Sequence, residues 1–387
     1  MKPPRPADGS AAMTGVQPKP NRAPKAEAWH AAWVLRLLID PGIAAADAGR
    51  IDWDVLVSVA RGNSVLVRAA ERLAARGVRL PEGVAAAVQS ERERIRSTLE
   101  LMRHVSRACE ARGIEFLFPK AFQDYPDFGD DVDLLLLLQS PRVDRAIIAG
   151  LQASTVARDL GERISGAATY AIAGCPSPLD VQHGRLGIVG EHGAFPTALL
   201  RNSRRVVVDG TEFALPRPED QLVLQGLQRI SGRLRIALCD VIFTASTIRG
   251  GALDWDYIIG TARQHGAFPG LCCYLSYVEQ IYRDALWQPL FSEAQRRALV
   301  LRGWGRVEFR LGAYRFPVVR VNTRLYAQQL RSRIRTGDWG GVGRLCLIPI
   351  VAAARLVRRL TRRARLARTP GDGPARTERL AGRAVNA

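Results

Sequence analysis

Four residues have the types and spacing to do chemistry. Asp131 and Asp133 lie two apart, directly before Leu134-Leu135-Leu136-Leu137-Leu138. Residues two apart on a strand share a face. Two carboxylates on one face repel each other, and burial worsens the repulsion. A hard cation with oxygen ligands, Mg²⁺ or Mn²⁺, removes that cost and keeps open positions for phosphate oxygens. The alternative is a solvated acidic turn made of Asp124, Asp127, Asp130, Asp131 and Asp133. The leucine run favours the first reading, because it predicts a strand buried on both faces. Two-metal phosphoryl chemistry uses a further carboxylate. Asp180, in the apolar segment Pro178-Leu179-Asp180-Val181, is the candidate if that segment is a neighbouring strand. The fourth residue is Lys120. The chain has 52 Arg and only 4 Lys, and Lys2, Lys19 and Lys25 fall in an N-terminal leader. A compact ammonium retained among guanidiniums is a candidate for a specific charge contact.

The elements that must position these groups are legible in outline. Residues 1–25, with six prolines, read as a disordered leader. Residues 26–112 read as a helical region, with helices from about Glu27 to Asp40-Pro41-Gly42, over 53–76, and over 82–112. Gly113 ends the last of these, and Ile114–Phe118 reads as a strand. Ser140-Pro141 opens a helix to about Gln152. Thr169–Ala173 and Leu179–Gln182 read as short strands. Asp209-Gly210 between β-rich runs predicts a hairpin over Val206–Phe213. Pro216 to Asp220 starts a second helical region that continues, with breaks, to about 335. No repeat is visible. The expected class is α+β, a small mixed β-sheet core over 113–215 between helical N-terminal and C-terminal regions.

Gly113-Ile114-Glu115-Phe116-Leu117-Phe118-Pro119-Lys120-Ala121, then Tyr125-Pro126-Asp127, then Asp131-Val132-Asp133-Leu134-Leu135, resembles the core of the bacterial nucleotidyltransferase-like family within the DNA polymerase β superfamily. Pro216 to Leu222 and Asp254-Trp255-Asp256 resemble its later helical segments. The specific part of the resemblance is 113–138, within a span of roughly 26–330. The resemblance implies a nucleotidyltransferase core with Asp131 and Asp133 as metal ligands. It implies Asp180 as third carboxylate near the acceptor hydroxyl, and Lys120 at a phosphate-facing turn. The activity implied is transfer of a nucleoside monophosphate from an NTP, ATP among them, to the hydroxyl of an acceptor. The chain departs from the family pattern at three places. Ala121 stands where the pattern has Gly, no Arg occurs from 121 to 130, and Gln182 stands where a His is frequent.

Two other functional readings remain open. One is a catalytically degenerate nucleotidyltransferase fold serving as a binding module, which Ala121 and the absent Arg favour. The other is an Asp-x-Asp nucleotide-sugar glycosyltransferase. The helical residues that precede the Asp pair, where a nucleotide-binding βαβ unit is expected, count against it.

Composition narrows the classes. With 387 residues, 47% apolar and 24% charged, the chain is long enough for two to three domains and too apolar for wholesale disorder. Its six cysteines are scattered and contain no C-x-x-C pair, so reduced cytoplasmic thiols are expected. No apolar run follows Lys2 and Arg5, so no signal peptide is expected. The +19 formal charge is concentrated: residues 301–387 carry 20 Arg against four acidic residues, leaving the rest nearly neutral. The basic charge therefore describes the tail, and no specific nucleic-acid motif accompanies it. Leu345–Ala354 is apolar and, at ten residues, too short to span a bilayer. Arg355, Arg358, Arg359, Arg362, Arg363, Arg365 and Arg368 follow it. Residues 336–368 therefore read as a basic amphipathic segment with a helix over 343–368, either held peripherally on the anionic inner face of the membrane or packed on the body. Residues 369–387 read as a disordered tail. His183 and His192 read as exposed loop histidines, and Gly184, Gly187, Gly190 and Gly193 as a flexible loop.

Overall fold

The computed structural model describes residues 23–40, 49–123, 125–138, 140–251, 253–301 and 303–367. Most of the expected leader and the expected C-terminal tail lie outside the described residues, as do Asp124 and Pro41-Gly42. Elements run α1 (Ala23–Ile39), α2 (Trp53–Gly62), α3 (Leu66–Ala74), α4 (Glu82–Glu110), β1 (Phe116–Leu117), β2 (Val132–Leu136), α5 (Pro141–Ile147), β3 (Ala153–Thr155), α6 (Leu160–Ser165), β4 (Ala168–Ile172), β5 (Leu179–His183), α7 (Phe195–Arg201), β6 (Arg204–Val208) and β7 (Thr211–Leu215). The remainder is α8 (Pro218–Leu227), a π-helical turn (Gln228–Arg233), α9 (Leu238–Arg249), α10 (Trp255–Gln264), α11 (Phe268–Leu286), α12 (Glu293–Leu299), β8 (Glu308–Arg310), β9 (Ala313–Arg315), α13 (Val318–Arg335), α14 (Trp339–Leu345) and α15 (Ile348–Ala367). The class is mixed α+β with a small mixed sheet, as expected.

The five-stranded sheet has the order β1-β2-β5-β4-β3. β2 and β5 are parallel, and the other neighbours are antiparallel. β2 is buried along its whole length, which is what a continuous apolar run is for. The strand starts at Val132, two residues earlier than the leucines alone suggest, and Leu138 beyond it is exposed. Asp133 therefore lies inside the strand. The Ile114–Phe118 segment pairs with β2 only at Phe116 and Leu117, and the Phe118 amide then donates to the Ala214 carbonyl on β7 (2.9 Å). The sheet is thereby tied to the β6–β7 hairpin that Asp209-Gly210 predicts.

Four departures from the sequence reading have local causes. The helix expected over 53–76 breaks at Asn63–Val65. There the buried Asn63 side chain donates to the Val59 and Gly312 carbonyls and accepts from the Leu238 amide, so it joins α2 to two distant segments. The helix after Ser140 is correctly capped but ends at Ile147. The β8–β9 hairpin interrupts the expected C-terminal helical region. Its turn has Leu311 (φ 52°) and Gly312 (φ 73°) in the left-handed region, and a leucine there hides the usual Asn-Gly or Asp-Gly signal. The helix expected over 343–368 forms as α15 but starts only at Ile348, with Pro349 in its first turn, and the separate α14 precedes it. α1 begins at Ala23, so Lys25 is helical, and Lys120 is the only lysine beyond α1.

The histidine reading is also corrected. His183 and His192 are both buried. His183 ends β5 and bonds the Asp144 carboxylate (2.7 Å) and the Gly166 carbonyl (2.8 Å) through its two ring nitrogens. The glycine-rich segment is a folded loop. Its Leu186 and His192 backbones pair with each other, and the Glu191 carboxylate accepts from the Ile188 and Val189 amides. Gly187 (φ 105°) sits against that carboxylate, where a Cβ would collide with it.

Candidate functional site

β2 and β5 place the three carboxylates. Asp133 and Asp180 are direct partners in the parallel register, and Asp131 stands two residues before Asp133. One ligand oxygen from each of Asp131, Asp133 and Asp180 lies within 4.8 Å of the others. The strand alternation sends Asp180 and Gln182 to this face of β5 and the buried Leu179, Val181 and His183 to the other. All the residues that the sequence nominates for the site therefore meet at one end of the β2–β5 pair.

Two cations balance two of the three acids. Lys120 Nζ donates to Asp133 Oδ2 (2.6 Å), and Gln182 Nε2 donates to Asp133 Oδ1 (3.2 Å). Arg233, at the end of the π-helical turn, donates from one terminal nitrogen to both Asp131 oxygens (3.0 and 2.9 Å). Burial alone would push the Asp131 carboxyl up, but the facing Arg233 and Lys120 charges outweigh it and bring it down to about 2. Asp131 in turn raises the Arg233 guanidinium above its ordinary value, against the opposing effect of burial.

Asp180 is the acid without a cation. Burial first, and then the neighbouring Asp133 and Asp131 charges, push its carboxyl up to about 7. Its Oδ1 is fully buried and has no hydrogen-bond partner. An unpartnered buried oxygen on a carboxylate that stands beside two others is compatible with a cation. The three aspartates could hold a metal ion.

The cleft outside these residues has a cavity volume of about 70 Å³ and opens to solvent. It is lined by Lys120, Ala121 and Gln123 and by Arg229, Arg233 and Arg235. Arg229 is fixed by Asp240 (2.6 Å) and by Gln225 (2.7 Å), whose Nε2 also donates to Gln123 Oε1 (2.6 Å). Ala121 introduces no backbone strain, because the left-handed residue of this turn is Phe122 (φ 60°).

The helical layer positions the site through two residues that sequence reasoning did not single out or misjudged. Arg94, on α4, donates to the Phe128 and Gly129 carbonyls (2.8 Å each) and to Ser177 Oγ (3.2 Å). One guanidinium thus braces the segments leading into both aspartate strands. Asp127, nominated for an acidic turn, is buried and caps α3 across the chain. Its oxygens accept from the Val67 amide (2.9 Å), the Arg68 amide (3.1 Å) and Arg68 Nε (3.0 Å). α3 has no cap of its own. Asp127→Ala should therefore lower stability by about 2–4 kcal/mol, through a lost cap and a buried guanidinium left without its acid. Chemical denaturation checks this, and a change below about 0.5 kcal/mol contradicts it.

Sequence reasoning missed Arg233; the signal available was the cluster Arg229, Arg233 and Arg235 around Ser231-Gly232, and only the structure shows the π-helical turn there, a common mark of a functional site. Nothing in the sequence tells that this cluster faces Asp131, because the two lie about a hundred residues apart. No protein-family model matches the chain, and no curated protein matches it.

Proposed function

We propose that the chain is a metal-dependent nucleotidyltransferase, transferring a nucleoside monophosphate from an NTP to a hydroxyl acceptor. One observation carries the proposal: three carboxylates converge, two are paired with the cations Lys120 and Arg233, and the third has a buried oxygen with no partner. The resemblance of 113–138 to the nucleotidyltransferase core supports the same reading. Asp131, Asp133 and Asp180 would hold Mg²⁺ or Mn²⁺, which when bound neutralises triphosphate charge and acidifies an attacking hydroxyl. Lys120 and Arg233 are long, charged side chains that line the cleft. A polyphosphate entering there competes with Asp133 and Asp131 for them, and charge-assisted bonds to phosphate oxygens take the place of the carboxylate pairs. Arg233 thereby supplies, from the π-helical turn, the charge absent from residues 121–130.

In the transfer, the acceptor oxygen forms a bond to the α-phosphorus while the bond to the bridging β-phosphate oxygen breaks, and pyrophosphate leaves. The proton of the acceptor hydroxyl would pass to the third carboxylate, Asp180, or on to solvent.

This arrangement sets an expected result for Arg233→Ala. Freed from its cation, the carboxylate cluster should bind Mn²⁺ more tightly than wild type in the absence of nucleotide. NTP affinity in the presence of metal should fall by roughly tenfold to a hundredfold for the loss of one charge-assisted contact. Calorimetry of both ligands checks the pair of effects. A fall in both affinities would mean that Arg233 only supports the fold.

A binding screen of the four NTPs with Mg²⁺ and Mn²⁺, coupled to pyrophosphate release, tests the function. Metal-dependent binding of at least one NTP is expected. NTP binding that is indifferent to metal, with no pyrophosphate released, would instead fit a nucleotide-binding module. No binding at all would remove the proposal.

A further inference from the structure

The C-terminal helices offer a surface that the proposed chemistry does not use. α14 and α15 lie against the body along one side only. Gly341, Leu345 and Val351 are buried on it. Arg344 donates to the Val189 (2.8 Å) and Ile164 (3.3 Å) carbonyls, and Arg355 Nε donates to the Asp159 carboxylate (2.7 Å). Gly161 gives α15 its seat, because a Cβ there would meet Val351 and the Arg355 guanidinium.

The opposite side is apolar and faces solvent. Ile350, Val357 and Leu360 follow at helical spacing, with Leu356 beside them, and all four are more than half exposed. They lie between about a quarter and half a turn from Val351 and Arg355, on the side that the body leaves open. Trp339, at the start of α14, is 69% exposed. An amphipathic helix normally turns its apolar stripe to the core. α15 does the reverse.

We infer that α14 and α15 form a docking surface for an anionic bilayer, lying in its plane with the apolar stripe in the headgroup–acyl boundary. Charge complementarity selects this occupant: 20 Arg against four acidic residues in 301–387 is a strongly basic segment on a nearly neutral body. Trp339 is the kind of side chain that settles at such an interface. Trp339–Arg358 is also long and apolar enough, by length and composition, to cross a membrane, which the ten-residue apolar run is not. The contacts of Arg344, Val351 and Arg355 with the body oppose a crossing, since spanning would strip Asp159 of its guanidinium and two carbonyls of their donor. The surface therefore lies on the membrane and does not traverse it. This inference stands independently of the nucleotidyl-transfer reading.

Co-sedimentation of the full chain with vesicles tests it. Vesicles of phosphatidylcholine with phosphatidylglycerol should pellet the protein at low salt, and phosphatidylcholine alone should not. Binding should weaken as salt rises, as the surface potential is screened. Val357→Glu with Leu360→Glu should cut partitioning by roughly a hundredfold, through the loss of two inserted apolar side chains. The melting temperature should stay at the wild-type value, because both positions are solvent-exposed. Bound protein should be released by alkaline carbonate. Failure to pellet with anionic vesicles at low salt overturns the inference. So does unchanged binding of the double variant, or retention through carbonate extraction, which would mean a crossing. Concentration-dependent dimerisation that the double variant loses, in protein that ignores vesicles, would assign the stripe to a second copy of the chain and overturn it as well.

Discussion

Asp180→Asn should make the metal-free protein more stable at pH 8 than wild type, an unusual outcome for a substitution inside a proposed active site. The folded Asp180 carboxyl sits at about 7 because of burial and then the Asp133 and Asp131 charges, against an unfolded value near 4. Between those values the folded chain holds a proton that the unfolded chain has released. Stability therefore falls as pH rises from about 4 to about 7, and the full cost stands above that window. Each tenfold change in proton affinity is worth about 1.4 kcal/mol, so the cost at pH 8 is on the order of 4 kcal/mol. Thr169, opposite Asp180 in the β4–β5 register, offsets part of it with a hydrogen bond. Asparagine removes the charge and keeps the shape. Its gain should nearly vanish near pH 4, where the wild-type carboxyl is protonated in the folded chain and about half protonated in the unfolded one. A divalent cation should raise the melting temperature of wild type most at pH 8, where the uncompensated charge is present, and that gain should be mostly lost in the variant. Thermal melts at pH 5 and pH 8, with and without Mg²⁺, check both statements. A variant less stable than wild type by the same amount at every pH would show that Asp180 contributes shape rather than charge.

The second large effect concerns turnover. Asp133→Asn should abolish nucleotidyl transfer, lowering kcat/KM by roughly a thousandfold or more. Asp133 is the centre of the cluster: it pairs with Lys120, accepts from Gln182, and stands level with Asp180 across the β2–β5 register. The substitution removes a ligand charge and leaves Lys120 beside a neutral amide. The strand itself has no reason to fail, since Val132, Leu134, Leu135 and Leu136 keep their burial. Circular dichroism should match wild type while pyrophosphate release is lost. Retention of a tenth or more of wild-type activity would remove Asp133 from the chemistry.

What could be read in the sequence was whatever local pattern decides. The leucine run, the Ser140-Pro141 cap and the Asp209-Gly210 turn each produce their element from a few neighbouring residues. The same-face spacing of Asp131 and Asp133 holds for the same reason, and Asp180 joins them because its segment became the neighbouring strand. The unread parts depend on contacts between distant segments. Asp127 looks like one more acid in a turn until α3, about sixty residues earlier, is seen to need its cap. His183 and His192 look like loop residues until Asp144 and the folded glycine loop bury them. Arg233 and Arg94 are two arginines among 52, and only the fold gives them their partners. The β8–β9 hairpin was hidden by a left-handed leucine, a conformation that composition argues against.

The most direct measurement is a calorimetric titration of Mn²⁺ into wild type and Asp131→Asn at pH 8, with a non-hydrolysable NTP analogue present. Outer-shell partners of metal ligands alone contribute about tenfold to a hundredfold in affinity. Loss of a ligand should therefore weaken binding by about a hundredfold or more, with the fold retained. Equal Mn²⁺ affinity in the two proteins would contradict the assignment of Asp131, Asp133 and Asp180 to a shared metal site.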